Sequence, residues 1–140
     1  MNREVLWGNM NKDSDMYKFV KNLVNLRKGN ELWNNPQVQR YADDHFYAFT
    51  RGNVLALFTN TDDTIYITIT YQSFTEGSKL CNSLDMNDCV YVNSGKINVT
   101  LSGEPKVYVL PTKKDKETQN HIEILKKNYS QGAEKLKYLK

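Results

Sequence analysis

The amino-acid sequence predicts a mainly β fold: an antiparallel Greek-key sandwich of about seven strands, preceded by one amphipathic helix and followed by a partly helical polar tail. Three observations predict it. Between Met16 and Leu26 apolar residues recur every three or four positions. From Phe46 to Leu110 they recur every two, in short runs separated by Gly, Ser, Asn and Asp. Beyond Pro111 the chain turns polar and lysine-rich.

The helix begins at Asp13-Ser14-Asp15, where short oxygen-bearing side chains can accept the first free backbone N–H groups. Met16, Phe19, Val20, Leu23, Val24 and Leu26 then make one apolar face. Arg27 and Lys28 suit the negative end of the helix and Gly29 is a natural stop, which predicts a helix over about residues 14–28. Residues 29–45 read as a loop punctuated by Asn34-Asn35-Pro36. Phe46–Arg51 and Val54–Asn60 read as strands joined by Gly52-Asn53, a tight hairpin signal. Val54 to Phe58 is apolar on both faces, which predicts a central strand covered on both sides. Thr64 to Tyr71 alternates, with Ile65, Ile67 and Ile69 on one face and Tyr66, Thr68 and Thr70 on the other. Further strands are predicted at Lys79–Leu84, Cys89–Asn93, Lys96–Leu101 and Lys106–Leu110, with Ser94-Gly95 and Ser102-Gly103 turning between the last three. Pro111 closes the β region, and Glu117–Lys140 shows only weak helical spacing at Ile122, Leu125, Tyr129, Leu136 and Leu139. A lone amphipathic helix ahead of a sandwich needs a partner for its apolar face.

Length and composition set the bounds. A chain of 140 residues is about one domain. It can bury roughly two-thirds of its unfolded surface, enough for a core. An apolar share of 39% with nine Tyr excludes disorder over most of the length. No run is long and apolar enough to predict a membrane-spanning helix. The start, Met1 to Trp7, lacks the apolar stretch of a secretory signal. Either the protein is cytosolic or this chain is not the true start of a secreted one. The net charge of +3 belongs to residues 112–140, which hold eight Lys against four acids, while residues 1–111 are nearly neutral. A basic tail can touch nucleic acid or an anionic membrane. Aromatic residues do not interleave with bases in the RNA-binding manner, so the tail is read as a solvated, half-ordered extension. No nucleic-acid partner and no membrane span are expected.

Few residues suggest chemistry. Cys81 and Cys89 stand at the end of one predicted strand and the start of the next. If those strands pair, a disulfide closes a ring of about nine residues and stabilises by ~2.5 kcal/mol on the chain-entropy model. Two unpaired core thiols are the alternative. The disulfide is the expectation carried forward, and it implies an oxidising compartment. Zinc is not expected, because two Cys with no nearby His do not complete four ligands. Asn98-Val99-Thr100 and Asn128-Tyr129-Ser130 match the N-glycosylation acceptor, and inward-facing Ile97, Val99 and Leu101 put Asn98 outward. His45 follows Asp43-Asp44, but neighbours in an extended segment point opposite ways, so a polar turn is the reading taken. Asp43, Asp85 and Asp88 could be proposed as the paired carboxylates of a glycosidase, yet all three sit in turn contexts. His121 stands alone in the tail. No Gly-rich phosphate loop, serine nucleophile elbow or HExxH motif occurs.

A family resemblance joins these parts. Asn2-Arg3-Glu4-Val5-Leu6-Trp7, then Asp13-Ser14-Asp15-Met16-Tyr17-Lys18, then Asn25-Leu26-Arg27-Lys28 resembles the end of the catalytic barrel of fungal-type α-amylases of glycoside hydrolase family 13. Asp44 to Gly52 resembles the first strand of that family's C-terminal β-sandwich, and Val54 to Asn60 its second. Glu76 to Cys81 and Cys89 to Val92 follow the later pair, and Gly103 to Pro111 resembles the closing strand. The short Cys spacing departs from the fungal pattern, which suggests a protist-like or otherwise divergent relative, and the tail beyond Pro111 has no counterpart there, which leaves its role open.

The resemblance implies three regions: 1–36 as the end of the barrel with its last helix, 37–111 as the sandwich domain, and 112–140 as a basic tail, disordered or weakly helical. It implies a C-terminal fragment of a secreted or lumenal enzyme that hydrolyses internal α-1,4-glucosidic bonds of starch and glycogen with retention. The family's catalytic Asp, Glu and second Asp and its calcium ligands belong to earlier barrel strands, so none maps onto this chain. Calcium is expected in the full-length enzyme and no cofactor here. The chain alone is expected to be inactive, with α-glucan reached through the barrel. Arg3 matches an Arg that contacts substrate sugar, a role its planar set of donors suits. The alternative is a free-standing carbohydrate-binding module, stacking sugar on Tyr66, Tyr71 and Phe74 or on Trp33 with Tyr41.

Overall fold

A computed structural model describes residues 11–111. The helix α1 spans Asp15–Gly29. Ser14 caps it as anticipated, its hydroxyl accepting the Tyr17 N–H at 3.3 Å. The stop comes one residue later than Gly29. Asn30 donates its backbone N–H and its side-chain amide to the Leu26 carbonyl at 3.1 and 2.9 Å, satisfying an acceptor of the last turn. Asn53 then ties this end to the β region: its Nδ2 donates to Asn30 Oδ1 at 2.6 Å and to the Leu110 carbonyl at 2.9 Å. No residue of α1 is buried.

Eight strands follow: β1 (Gln37–Ala42), β2 (Phe46–Arg51), β3 (Val54–Thr59), β4 (Thr64–Ile69), β5 (Lys79–Asn82), β6 (Cys89–Asn93), β7 (Lys96–Ser102) and β8 (Lys106–Val109). The mainly β fold class stands, with one strand more than predicted. β1 lies inside the segment read as a loop. It pairs antiparallel with β2, and its register shifts at Arg40. That bulge leaves Val38 and Tyr41 opposite the buried Thr50 and Ala48, three residues apart rather than two, so no period of two is visible there.

The spatial order is β1-β2-β3-β8-β5-β6-β7-β4, every neighbouring pair antiparallel. β5, β6 and β7 are joined as consecutive neighbours, and β4 returns to lie beside β7, which is a Greek key. In a flat sheet β3 and β7, four places apart, would be about 19 Å from each other. They touch, so the sheet folds over itself into two layers. β6 makes the crossing: residues 89–91 pair with β5 and residues 92–93 with β7. Between the layers lie Leu55, Leu57, Ile69, Leu80, Val92, Ile97, Val99, Leu101 and Tyr108. Val54 to Leu57 is buried on both faces, as its composition predicted, whereas Phe58 at the end of the run is 42% exposed.

The β2–β3 turn depends on Gly52, whose φ is +59°. A Cβ there would meet Asn35 Nδ2 at 2.9 Å, whereas the equally left-handed Gly77 has open space around it. Gly52→Ala is therefore expected to cost about 1–2 kcal/mol from the backbone alone, plus whatever Asn35 needs to move aside. Gly77→Ala should show only the backbone part. Urea midpoints of the two variants check this, and equal midpoints would remove the role given to Asn35.

Candidate functional site

The best-organised polar cluster stands where β5 and β6 meet β8. Cys81 and Cys89 are register partners across β5 and β6, and their sulfurs are bonded. The loop between them is held by Asn82 N–H donating to the Asp88 carbonyl at 2.8 Å and Asp85 N–H to the Asn82 carbonyl at 3.2 Å. It delivers the Asp88 carboxylate to three donors. The Tyr108 hydroxyl donates to its two oxygens at 2.8 and 3.0 Å. Lys106 Nζ lies 2.9 Å from Oδ2, and Asn82 Nδ2 donates to the same oxygen at 3.3 Å. Burial pushes the Asp88 carboxyl up, but the Lys106 ammonium and the Tyr108 and Asn82 donors outweigh it and hold the carboxyl below its ordinary value. Burial, with the Asp88 charge beside it, pushes the Tyr108 phenol up. An ionised carboxylate saturated by donors is a structural anchor, not a proton donor.

Of the other acidic candidates, Asp85 Oδ1 accepts the Asn87 N–H at 3.0 Å, and Asp43 is held through one oxygen. Asp43 Oδ1 accepts the backbone N–H groups of His45 and Phe46 at 2.9 and 2.7 Å. Those backbone donors, His45 first, hold its carboxyl below the usual range. His45 Nδ1 lies 3.1 Å from Asn60 Oδ1, and Asn60 Nδ2 donates to the Asp44 carbonyl at 3.0 Å. This is the polar turn anticipated from the sequence. Depressions of about 270 and 210 Å³ flank it, floored by Phe46, Ile65 and Ile67 on one side and Phe58 on the other. Both are lined by Asp43, Asp44 and His45, of which Asp43 Oδ1 and His45 Nδ1 are engaged by the bonds just given. Among the described residues no three His, Cys, Asp or Glu side chains converge.

Of the two aromatic sets proposed for sugar stacking, the first does not form, and in the second Trp33 is 50% exposed while Tyr41 is half-buried. Phe74 is buried in the core, and Tyr41 packs edge-on against Phe46 with centroids 5.6 Å apart. One face of Tyr71 is taken by the Arg40 guanidinium, 4.8 Å from the ring centre, which is itself fixed to Thr50 and Ser73. Tyr66, at 78% exposure, stands alone on β4. A different set forms instead: Tyr47, Phe49 and Phe58 on the outer face of β2 and β3, with Phe49 stacked on Phe58 at 6.0 Å. The signal was present, since Tyr47 and Phe49 alternate with the inward Phe46 and Ala48. Asn98 is exposed on β7, as expected. Arg3, Asn128 and the basic tail lie outside the described residues. No described helix is long and apolar enough to cross a membrane.

The likenesses to known proteins are consistent with this geometry. No protein-family model matches the chain. A β/α-amylase of Paenibacillus polymyxa is 32% identical over 114 residues, covering 76% of this chain and 9% of that protein. The solved α-amylase of Malbranchea cinnamomea is 24% identical with a TM-score of 0.65, over 71% of this chain and 23% of its own. The α-amylase of Anoxybacillus is 24% identical with a TM-score of 0.62, over 74% and 24%. The chain thus spans under a tenth of the curated relative and about a quarter of the solved structures, and the α-amylase resemblance carried by the motifs is met by all three.

Proposed function

We propose that this chain, α-amylase-like in fold and motifs, is the C-terminal part of a family 13 α-amylase. In this reading α1 is the last helix of the catalytic barrel and β1–β8 are the sandwich that covers the barrel's end. The chain takes part in endo-hydrolysis of starch or glycogen without supplying a catalytic carboxylate. Its α-glucan is met through the barrel, with Arg3 as its own contribution to the substrate groove. The disulfide supports a secreted or lumenal enzyme.

One observation carries the reading. Met16, Val20 and Val24 form a stripe along α1 and are 70%, 49% and 43% exposed. A helix of 15 residues is marginal in water without a packed apolar face. Its caps are in order, no partner for the stripe stands among the described residues, and a barrel would supply one. The outward aromatic row Tyr47, Phe49 and Phe58 offers a second apolar surface for the same purpose.

The test has two arms. Purified chain incubated with soluble starch is expected to release no more reducing ends than a blank, and hydrolysis above the blank overturns the reading. The transcript upstream of Met1 is expected to encode, in frame, a barrel of about 250–400 residues bearing the three carboxylates. A stop codon followed by a native start at Met1 overturns it as well. Starch pull-down at micromolar affinity by the chain alone would favour a carbohydrate-binding module instead.

A further inference from the structure

We propose that Asn98 is an N-glycosylation site and that its glycan lies over Tyr66 and shields the edge strand β4. The inference rests on the secreted or lumenal reading above, but not on the amylase assignment.

β7 turns Ile97, Val99 and Leu101 into the core, so Asn98 and Thr100 emerge together on the opposite face. Both recognition groups of the acceptor sequence Asn98-Val99-Thr100 therefore stand on one accessible surface. Across the ladder, Thr68 faces Asn98, Tyr66 faces Thr100 and Thr64 faces Ser102. The Thr68 hydroxyl donates to Asn98 Oδ1 at 2.8 Å. That bond engages the carbonyl end of the carboxamide and leaves Nδ2, the atom that takes the sugar, without a partner among the described hydrogen bonds. Tyr66 is the diagonal neighbour of Asn98, a separation of about 7–8 Å that a single pyranose on Nδ2 spans. The surrounding Thr64, Thr68, Thr100 and Ser102 are neutral and carry hydroxyls, a surface suited to a sugar's own hydroxyl groups.

β4 explains what the glycan does. It is the last strand in the order, so one of its edges pairs with no strand among the described residues. Its sequence Thr64-Ile65-Tyr66-Ile67-Thr68-Ile69 has no charge, no Pro and high β propensity. Such an edge is a template for pairing with another chain, and folded proteins ordinarily blunt it. No Lys or Pro in β4 does so, and a hydrated glycan one strand away can. In the reaction, Asn98 Nδ2 bonds to the anomeric carbon of a lipid-diphosphate-linked oligosaccharide. The bond from that carbon to the diphosphate oxygen breaks, Nδ2 gives up one proton, and the lipid diphosphate leaves. Nothing is oxidised or reduced.

The test expresses the full chain, as Asn128→Gln, behind a secretion leader in a glycosylating eukaryotic host. Lumenal and secreted chains are both mapped by peptide mass spectrometry. The Asn98 peptide is expected to carry a glycan that peptide N-glycosidase removes, leaving Asp. Asn98→Gln and Thr100→Ala should each abolish it. Enzymatically deglycosylated chain should aggregate faster than the intact glycoprotein, and Tyr66→Ala should shrink the melting-temperature gain that the glycan confers. A disulfide-bonded chain with an unmodified Asn98 peptide overturns this proposal alone. A chain that reaches the lumen with both cysteines reduced overturns the oxidising-compartment reading instead.

Discussion

Asp88→Ala is expected to destabilise the domain by about 2–4 kcal/mol, read as a fall in the urea midpoint with little change in slope. Most of that comes from what the carboxylate leaves behind. Tyr108 is 1% exposed, and its hydroxyl would lose its only described acceptor inside the core. An orphaned buried donor costs about 1–3 kcal/mol. Asn82 would lose a partner as well, though its Oδ1 still accepts the Leu84 and Val107 N–H groups at 3.1 and 3.2 Å. The Lys106 pair adds little, because both side chains keep a quarter of their surface in water. Asp88→Asn should cost less than Ala, since an amide oxygen can still accept from Tyr108. Tyr108→Phe in the Asp88→Ala background should recover part of the loss by removing the orphan, and strictly additive costs would show that the two groups are not coupled.

The same pair contributes to both limbs of the pH profile. The Asp88 carboxyl is held below its ordinary value of 3.8, so the native state takes up that proton less readily than the unfolded chain. Its contribution is fully present above that ordinary value and is lost as pH falls through the lower native one. The Tyr108 phenol is raised above its ordinary value of 10.0. Its contribution is fully present below 10.0 and disappears as pH rises through the higher native value. In Asp88→Ala the acid limb should become shallower, with the Asp43 contribution remaining, and the alkaline limb should weaken, because the charge that helps raise Tyr108 is gone.

None of this network could be read from the chain. Asp88 and Tyr108 lie 20 residues apart and meet because β8 inserts beside β5, which sets Asn82 opposite Tyr108. Pairing between strands that are not consecutive leaves no local signature. What was legible is local. The Ser14 cap and the spacing of Met16, Val20 and Val24 announce a helix. Gly52-Asn53 announces a hairpin, and Ile65, Ile67 and Ile69 announce the inner face of β4. β1 escaped because one extra residue at Arg40 broke its alternation. The platform of Tyr66, Tyr71 and Phe74 failed for a related reason: strand phase says which face Tyr66 takes, but not that Phe74, in the loop after β4, turns into the core. Only the disulfide joined local and distant information, because its two residues end one strand and begin the next.

Removing that disulfide with the double replacement Cys81→Ala and Cys89→Ala is expected to cost ~2.5 kcal/mol, the loop-closure value for a ring of about nine residues. For a domain of about 100 residues this corresponds to a fall in melting temperature of roughly 10–20 °C. The ring does more than shorten the unfolded chain. Cys89 follows Asp88 directly, so the bond to Cys81 pins the residue whose carboxylate holds Tyr108, Lys106 and Asn82. Without it the loop gains freedom and Asp88 spends less time at its donors. The two perturbations should therefore overlap: Asp88→Ala should cost less in the disulfide-free chain than in the parent, by 0.5 kcal/mol or more, about the smallest coupling seen for groups in one network. Thermal unfolding of the four chains decides it. If the disulfide-free chain melts within a degree or two of the parent, β5–β6 pairing alone sets the loop. If the costs simply add, the bond acts on the unfolded state and leaves the Asp88 cluster as it was.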